Sequence, residues 1–253
     1  MSSRIAKQFG YGILFLAILA LVALGIYFLF KPVASCFDNK QNQNEEGVDC
    51  GGPCKKVCLP QGLQPIELVQ EVKIFYPASG HISLLAKIQN LNAVVAAKYF
   101  DYRFNVYDNE NNLLRTVSGQ SFIYSSEIKY LAEFLEDGSL KNVSRAEFLI
   151  ENPDWARSEE FQKPSVSVLN QRVEVYKGEL RVSGKIINND TVHLPKAIIM
   201  AVFSDKFGAT HGVSKTEIEN LLVGESRSFA IAHPGIPSVE FPKAEILVFS
   251  RRP

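Results

Sequence analysis

HISLLAKIQN at residues 81–90 and ELRVSGKIIN at residues 179–188 carry the same pattern 98 positions apart. In the first, Ile82, Leu84, Ala86 and Ile88 alternate with Ser83, Leu85, Lys87 and Gln89; in the second, Leu180, Val182, Gly184 and Ile186 fall in the same register. A period of two sends alternate side chains to opposite faces of a strand, so each stretch predicts a β-strand half buried against a core. Turn residues precede both, Pro77-Ala78-Ser79-Gly80 in one case and Lys177-Gly178 in the other.

The agreement extends outward from these strands. Lys87-Ile88-x-Asn90 recurs as Lys185-Ile186-x-Asn188, Val106-Tyr107 as Val202-Phe203, and Ala146-Glu147-Phe148-Leu149-Ile150 as Ala244-Glu245-Ile246-Leu247-Val248. The same order across a whole module predicts a tandem repeat, with copies at 66–157 and 164–253. Residues 151–163, ENPDWARSEEFQK, read as the linker, with the single tryptophan, Trp155, packing between modules. Six or seven short strands per copy, punctuated by turns, predict a mainly β chain: two tandem antiparallel β-sandwiches of immunoglobulin or fibronectin-III type. Neither copy contains a cysteine, so no core disulfide is available to them.

The first copy resembles the domain family named for its Phe-x-Leu-Tyr-Asp (FxLYD) strand, here Phe104-Asn105-Val106-Tyr107-Asp108. Where that family has Gly-x-Val-x-Asn, the copies read Ala86-Lys87-Ile88-Gln89-Asn90 and Gly184-Lys185-Ile186-Ile187-Asn188. The second copy has Met200-Ala201-Val202-Phe203-Ser204 in place of the name-giving strand. The resemblance implies a β-sandwich without enzymatic activity.

Ahead of the repeats, residues 9–30 carry no charge, and 11–30 (YGILFLAILALVALGIYFLF) are almost wholly apolar. As a helix, twenty residues reach about 30 Å, the thickness of a bilayer's hydrocarbon core. Residues 1–8 then form a cytoplasmic tail, and the bulk of the chain lies outside the cytoplasm. Flanking lysines and arginines orient the span only weakly; the cysteines orient it more firmly. Val33-Ala34-Ser35-Cys36 also reads as a cleavage or lipidation site, against which stand the long apolar run and Lys31-Pro32 after it.

All four cysteines, Cys36, Cys50, Cys54 and Cys58, fall in the segment 36–58, CFDNKQNQNEEGVDCGGPCKKVC. One isolated and three bunched cysteines do not have zinc-ribbon spacing; beside a translocation signal they predict two disulfides, with three pairings open. The oxygen-bearing Asp38, Asn42, Glu45 and Asp49 raise calcium as a ligand, the alternative being a solvated loop stapled by the disulfides. The stretch is similar to a motif of secreted proteins, C-x-D-G-x-x-N-G-x-E-x-G-V-D-C-G-G-x-C. Cys36, Asp38, Asn42, Glu45, Gly47, Val48, Asp49, Cys50, Gly51, Gly52 and Cys54 match it, while Asn39 and Gln43 stand at its two inner glycines.

Lys+Arg and Asp+Glu number 27 each, so the chain has no net field to attract a nucleic acid. His81, His193, His211 and His233 stand singly, without zinc spacing, and read as turn or strand-end residues. Asp108-Asn109-Glu110-Asn111-Asn112 reads as a hairpin turn rather than a cation site. The expected function is therefore non-catalytic: a membrane-anchored protein with spacer and interaction modules for a protein or cell-envelope partner. The alternative is an accessory subunit of a membrane enzyme or transporter complex.

Overall fold

The computed structural model describes residues 2–30, 35–78, 81–136, 142–176, 179–234 and 243–253. The turn positions Ser79-Gly80 and Lys177-Gly178, and Val33-Ala34 of the cleavage-like stretch, lie outside them. Contacts divide the chain into two units, 1–58 and 59–253.

In the first unit a single helix, α1 (Ser2–Phe30), precedes the cystine-bearing segment. From Lys7 to Phe30 it is long and apolar enough to cross a membrane, and its described side chains are exposed. Its length and composition match the hydrocarbon core of a bilayer.

The second unit is built of antiparallel strands: β1 (Glu67–Leu68), β2 (Lys73–Ala78), β3 (His81–Gln89), β4 (Val95–Asp108), β5 (Leu113–Ile123), β6 (Ile128–Glu136), β7 (Val143–Arg157), β8 (Val166–Tyr176), β9 (Glu179–Asn188), β10 (Leu194–Ser204), β11 (Thr210–Leu221), β12 (Ser226–Pro234) and β13 (Lys243–Ser250). In the first block, β3 pairs with β1 and β2 along one edge and with β6 along the other, and a second sheet runs β5-β4-β7. The second block repeats this order as β8-β9-β12 and β11-β10-β13. The registers correspond as well: Ile88 faces Lys129 where Ile186 faces Arg227, and Phe104 faces Phe148 where Ala201 faces Ile246.

Each block closes around its own core. Ile82, Leu84, Ala86 and Ile88 meet Phe100, Phe104 and Val106 from the facing sheet in the first; Leu180, Val182 and Ile186 meet Ile199, Ala201 and Phe203 in the second. Fully burying one such large side chain contributes about 1.5–3 kcal/mol. Equivalent hairpins join β4 to β5 and β10 to β11. Asp108 accepts from the backbone N–H groups of Glu110 and Asn112, and Asp205 from those of Phe207 and Ala209, so both carboxylates serve their turns.

Two expectations change. β7 continues through Arg157, so residues 151–157 belong to a strand and the connection to β8 begins at Ser158. Trp155, opposite Ala97, consequently packs against the first core and not between blocks. The blocks are also not joined by the connection alone. Leu85 and Ala132 from the outer face of β3 and β6 form a third apolar cluster with Met200, Val202 and Phe249 of β10 and β13, and Val213 of β11. Sheet thus packs on sheet across the junction. This is why β3 and β10 are buried on both faces over much of their length.

Candidate functional site

Within the first unit, Cys36 is bonded to Cys54 and Cys50 to Cys58, which settles the pairing. The Cys50–Cys58 loop lies against tight turns. Gly51 and Gly52 adopt positive φ, and a Cβ on Gly52 would lie 2.2 Å from the carbonyl oxygen of Asn44. Asn39 and Gln43, at the two positions where the similar motif has glycine, also adopt positive φ, 57° and 52°. Backbone strain of about 1–2 kcal/mol for a non-glycine residue makes Gln43 the less comfortable of the two.

The four oxygen-bearing residues come together; the three carboxylates accept from N–H groups, whereas the buried side-chain oxygen of Asn42 accepts from none among the described residues. Asp49 accepts from the backbone of Asp38 and Asn39, Glu45 from that of Asn42 and Asp49, and Asp38 from Ser35, Lys40 and the Asn42 side-chain amide. The amide of Asn42 foremost holds the Asp38 carboxyl below its ordinary range, against a smaller opposing effect of burial. Glu45 is buried, with Oε1 3.0 Å from Cys54 Sγ. That sulfur, half of a cystine, has no proton to donate and no thiolate to offer a metal, so the cluster of Cys36, Glu45 and Cys54 is not a sulfur site.

The arrangement stabilises turns in a segment that has no apolar core of its own. A calcium ion there would compete with peptide N–H groups for the carboxylate lone pairs. Asp49→Ala is expected to weaken the segment by about 1–2 kcal/mol, exposing 36–58 to protease. Millimolar calcium is expected to leave the cleavage rate of the unmodified chain unchanged. Protection by calcium would instead show that these oxygens hold the ion.

Two polar groups in the second unit escaped the sequence reading. Lys129 on β6 is 2 % exposed, its ammonium 3.3 Å from the centre of the Phe122 ring and 5.0 Å from that of Phe249, across the junction between blocks. Burial pushes its pKa down to about 7; Glu127 opposes that shift, and Lys163 and Arg251 add to it. The nearby carboxylate of Glu127 is taken up by Lys163 at 2.7 Å and by the backbone N–H of Tyr124. A cavity of about 110 Å³ opens beside Lys129, lined also by Tyr102, Ile198 and Met200.

His233, expected at a strand end or turn, is buried on β12. It stacks on Phe203, its Nδ1 lies 2.9 Å from Ser214 Oγ, and its Nε2 abuts Gly212. Burial pushes the imidazole pKa down. The geometry is that of a packed neutral ring satisfied by a hydroxyl, and Gly212 is required because a Cβ would lie 2.3 Å from Nε2. Glu217, which shares a strand face with Glu219, pairs with Lys196 at the surface.

No family model matches the chain, and no curated protein matches it. Among solved structures, a crystal structure of red sea bream transglutaminase aligns with 74 % of this chain at 9 % identity and a TM-score of 0.26. The chain spans 29 % of that structure's length.

Proposed function

We propose that this is a membrane-anchored, non-catalytic protein that presents two Ig-like β-sandwiches on the extracytoplasmic side to a protein or cell-envelope partner. The observation that carries the reading is a cystine-stapled segment placed directly behind an apolar helix of membrane-spanning length. Disulfides persist in oxidising compartments, and a coreless 23-residue segment depends on them for about 2–4 kcal/mol each. The repeated strand order and the FxLYD-type strand support the Ig-like assignment. The junction cluster supports presentation as one rigid body, since separate beads would leave Met200, Val202 and Phe249 in water.

Topology is tested with a membrane-impermeant thiol reagent on intact cells. Cys36, Cys50, Cys54 and Cys58 should react only after reduction by an impermeant reductant. Cysteines that are free, and shielded until the membrane is opened, would place the segment in the cytoplasm and end this reading.

A further inference from the structure

Among the described residues, the most exposed large apolar side chain lies not on α1 but just after it: Phe37, 91 % exposed. It follows Cys36 in the cystine-bearing segment, where the fold sorts four acidic residues from three lysines. Asp38, Glu45 and Asp49 accept from N–H groups of the segment itself. Lys40, Lys55 and Lys56 are exposed, with Glu46 the one exposed carboxylate. Cross-links gather the exposed groups. The Cys36–Cys54 bond holds the Cα atoms that precede Phe37 and Lys55 5.6 Å apart. The Asp38 N–H, donating to Asp49 Oδ1 at 3.0 Å, brings the stretch that carries Val48, also exposed, alongside.

The chain length says what lies within reach of that ring. Phe37 is seven residues beyond Phe30, where the apolar helix ends, and seven extended residues span at most about 25 Å. The interfacial region of a bilayer begins where its hydrocarbon core stops, and aromatic rings concentrate there. A ring held on so short a tether meets that region as an intramolecular event, at high effective concentration, so a contact of low intrinsic affinity is enough. Net charge does not supply the attraction, since the acidic residues of the segment outnumber its lysines. The outward lysines instead offer ammonium donors to lipid phosphate, their stems lying along apolar surface.

We propose that the cystine-bearing segment docks on the bilayer that α1 enters, with the Phe37 ring at the level of the lipid glycerol and Lys55 and Lys56 at the phosphates of the same leaflet. The segment is then a footing on the membrane surface and not a free linker. Its two cystines suit it to that role, because they tie the ring and both lysines to one covalent frame. A protein surface is the other thing that covers an exposed ring. The bilayer is favoured because the helix brings it to every copy of the chain, whereas a protein pocket has to be found. The inference rests on the membrane-anchor reading above and adds where the segment sits.

The test uses the full chain carrying Phe37→Trp in phosphatidylcholine vesicles, with the unsubstituted chain supplying the Trp155 background and a thiol count confirming both cystines. The added tryptophan is expected to emit to the blue of the urea-unfolded chain. It should lose more than half its intensity in vesicles of lipid brominated near the top of the acyl chains. Lys55→Glu with Lys56→Glu should lessen that quenching. On the unmodified chain in the same vesicles, hydroxyl radicals should oxidise Phe207, 85 % exposed in the second unit, and spare Phe37. If the chain floats with the vesicles but the added tryptophan is unquenched and Phe37 is oxidised as readily as Phe207, the docking is overturned and the anchor stands. Blue-shifted but unquenched emission would assign the ring to a protein surface and overturn it too. Quenching unchanged by the two charge reversals would remove the phosphate contact. A chain that does not float with the vesicles would end the anchor reading, and the docking with it.

Discussion

Replacing Lys129 by methionine is expected to raise the stability of the second unit and to flatten its dependence on pH between about 7 and 10. The lysine's ordinary pKa of 10.5 falls to about 7 in the folded chain because burial penalises the ammonium. Between those values the unfolded chain binds a proton that the folded chain does not, so stability rises with pH across the window. Below about pH 7 both states are protonated and the full penalty applies; above about 10.5 it vanishes. The shift corresponds to a penalty on the order of 3–5 kcal/mol, offset in part by the aromatic faces of Phe122 and Phe249 at about 1–2 kcal/mol.

Methionine keeps the length and packing of the side chain without the charge. Urea unfolding of the full chain in detergent at pH 7 and pH 10 checks this. The variant should gain at pH 7 and show a shallower pH slope; a loss of stability would mean that the ammonium's attraction to the two rings outweighs its desolvation. Glu127, Lys163 and Arg251 act on the same ammonium, so Lys129 and its charged neighbours should be varied one at a time.

Lys129 also marks the limit of what the sequence reveals. Its counterpart in the second block, Arg227, keeps its guanidinium near the surface, bonded to Glu225 and to the carbonyls of Glu219 and Asn220. Strand alternation puts both residues on the inward face, Lys129 with Leu131 and Leu135 opposite Ile88, and Arg227 with Phe229 and Ile231 opposite Ile186. The Lys129 ammonium then meets Phe122 of its own block and Phe249 of the second, the latter a contact between residues more than a hundred positions apart. The signal was present in two places. Ala197-Ile198-Ile199-Met200-Ala201-Val202-Phe203 is a continuous apolar run, as expected of a strand covered on both faces, and Leu85 sits among the polar alternates of β3. The repeat and its strands were legible because local alternation encodes them. Among three possible cysteine pairings, by contrast, only the path of the folded segment selects one. The extent of β7 was obscured by Asn152-Pro153, which fall in the stretch that reads as a linker but lie within the strand as an irregularity.

The asparagine common to both repeated motifs now has a physical reason, and its removal should cost as much as any single change in either block. Asn90 and Asn188 are fully buried. Asn90 donates its side-chain amide to Val95 C=O at 2.8 Å and Tyr124 C=O at 2.9 Å; Asn188 donates to Val192 C=O at 2.9 Å and Leu221 C=O at 3.1 Å. Each thus ties the end of one strand to the start of the next and to the end of a third, satisfying carbonyls that water cannot reach. Alanine leaves both carbonyls without that donor, at about 1–3 kcal/mol for each unsatisfied group. The two substitutions should cost similar amounts, because each side-chain oxygen also accepts from the residue two positions on: Asn90 Oδ1 from Asn92 and Asn188 Oδ1 from the backbone N–H of Asp190. Trp155 packs on the first core and is the chain's one tryptophan, so its fluorescence reports the first block. If the junction cluster makes the blocks unfold together, Asn188→Ala will move the fluorescence transition in urea as far as it moves circular dichroism. A fluorescence midpoint unchanged in that variant would show two independently folding blocks, with the junction too weak to couple them.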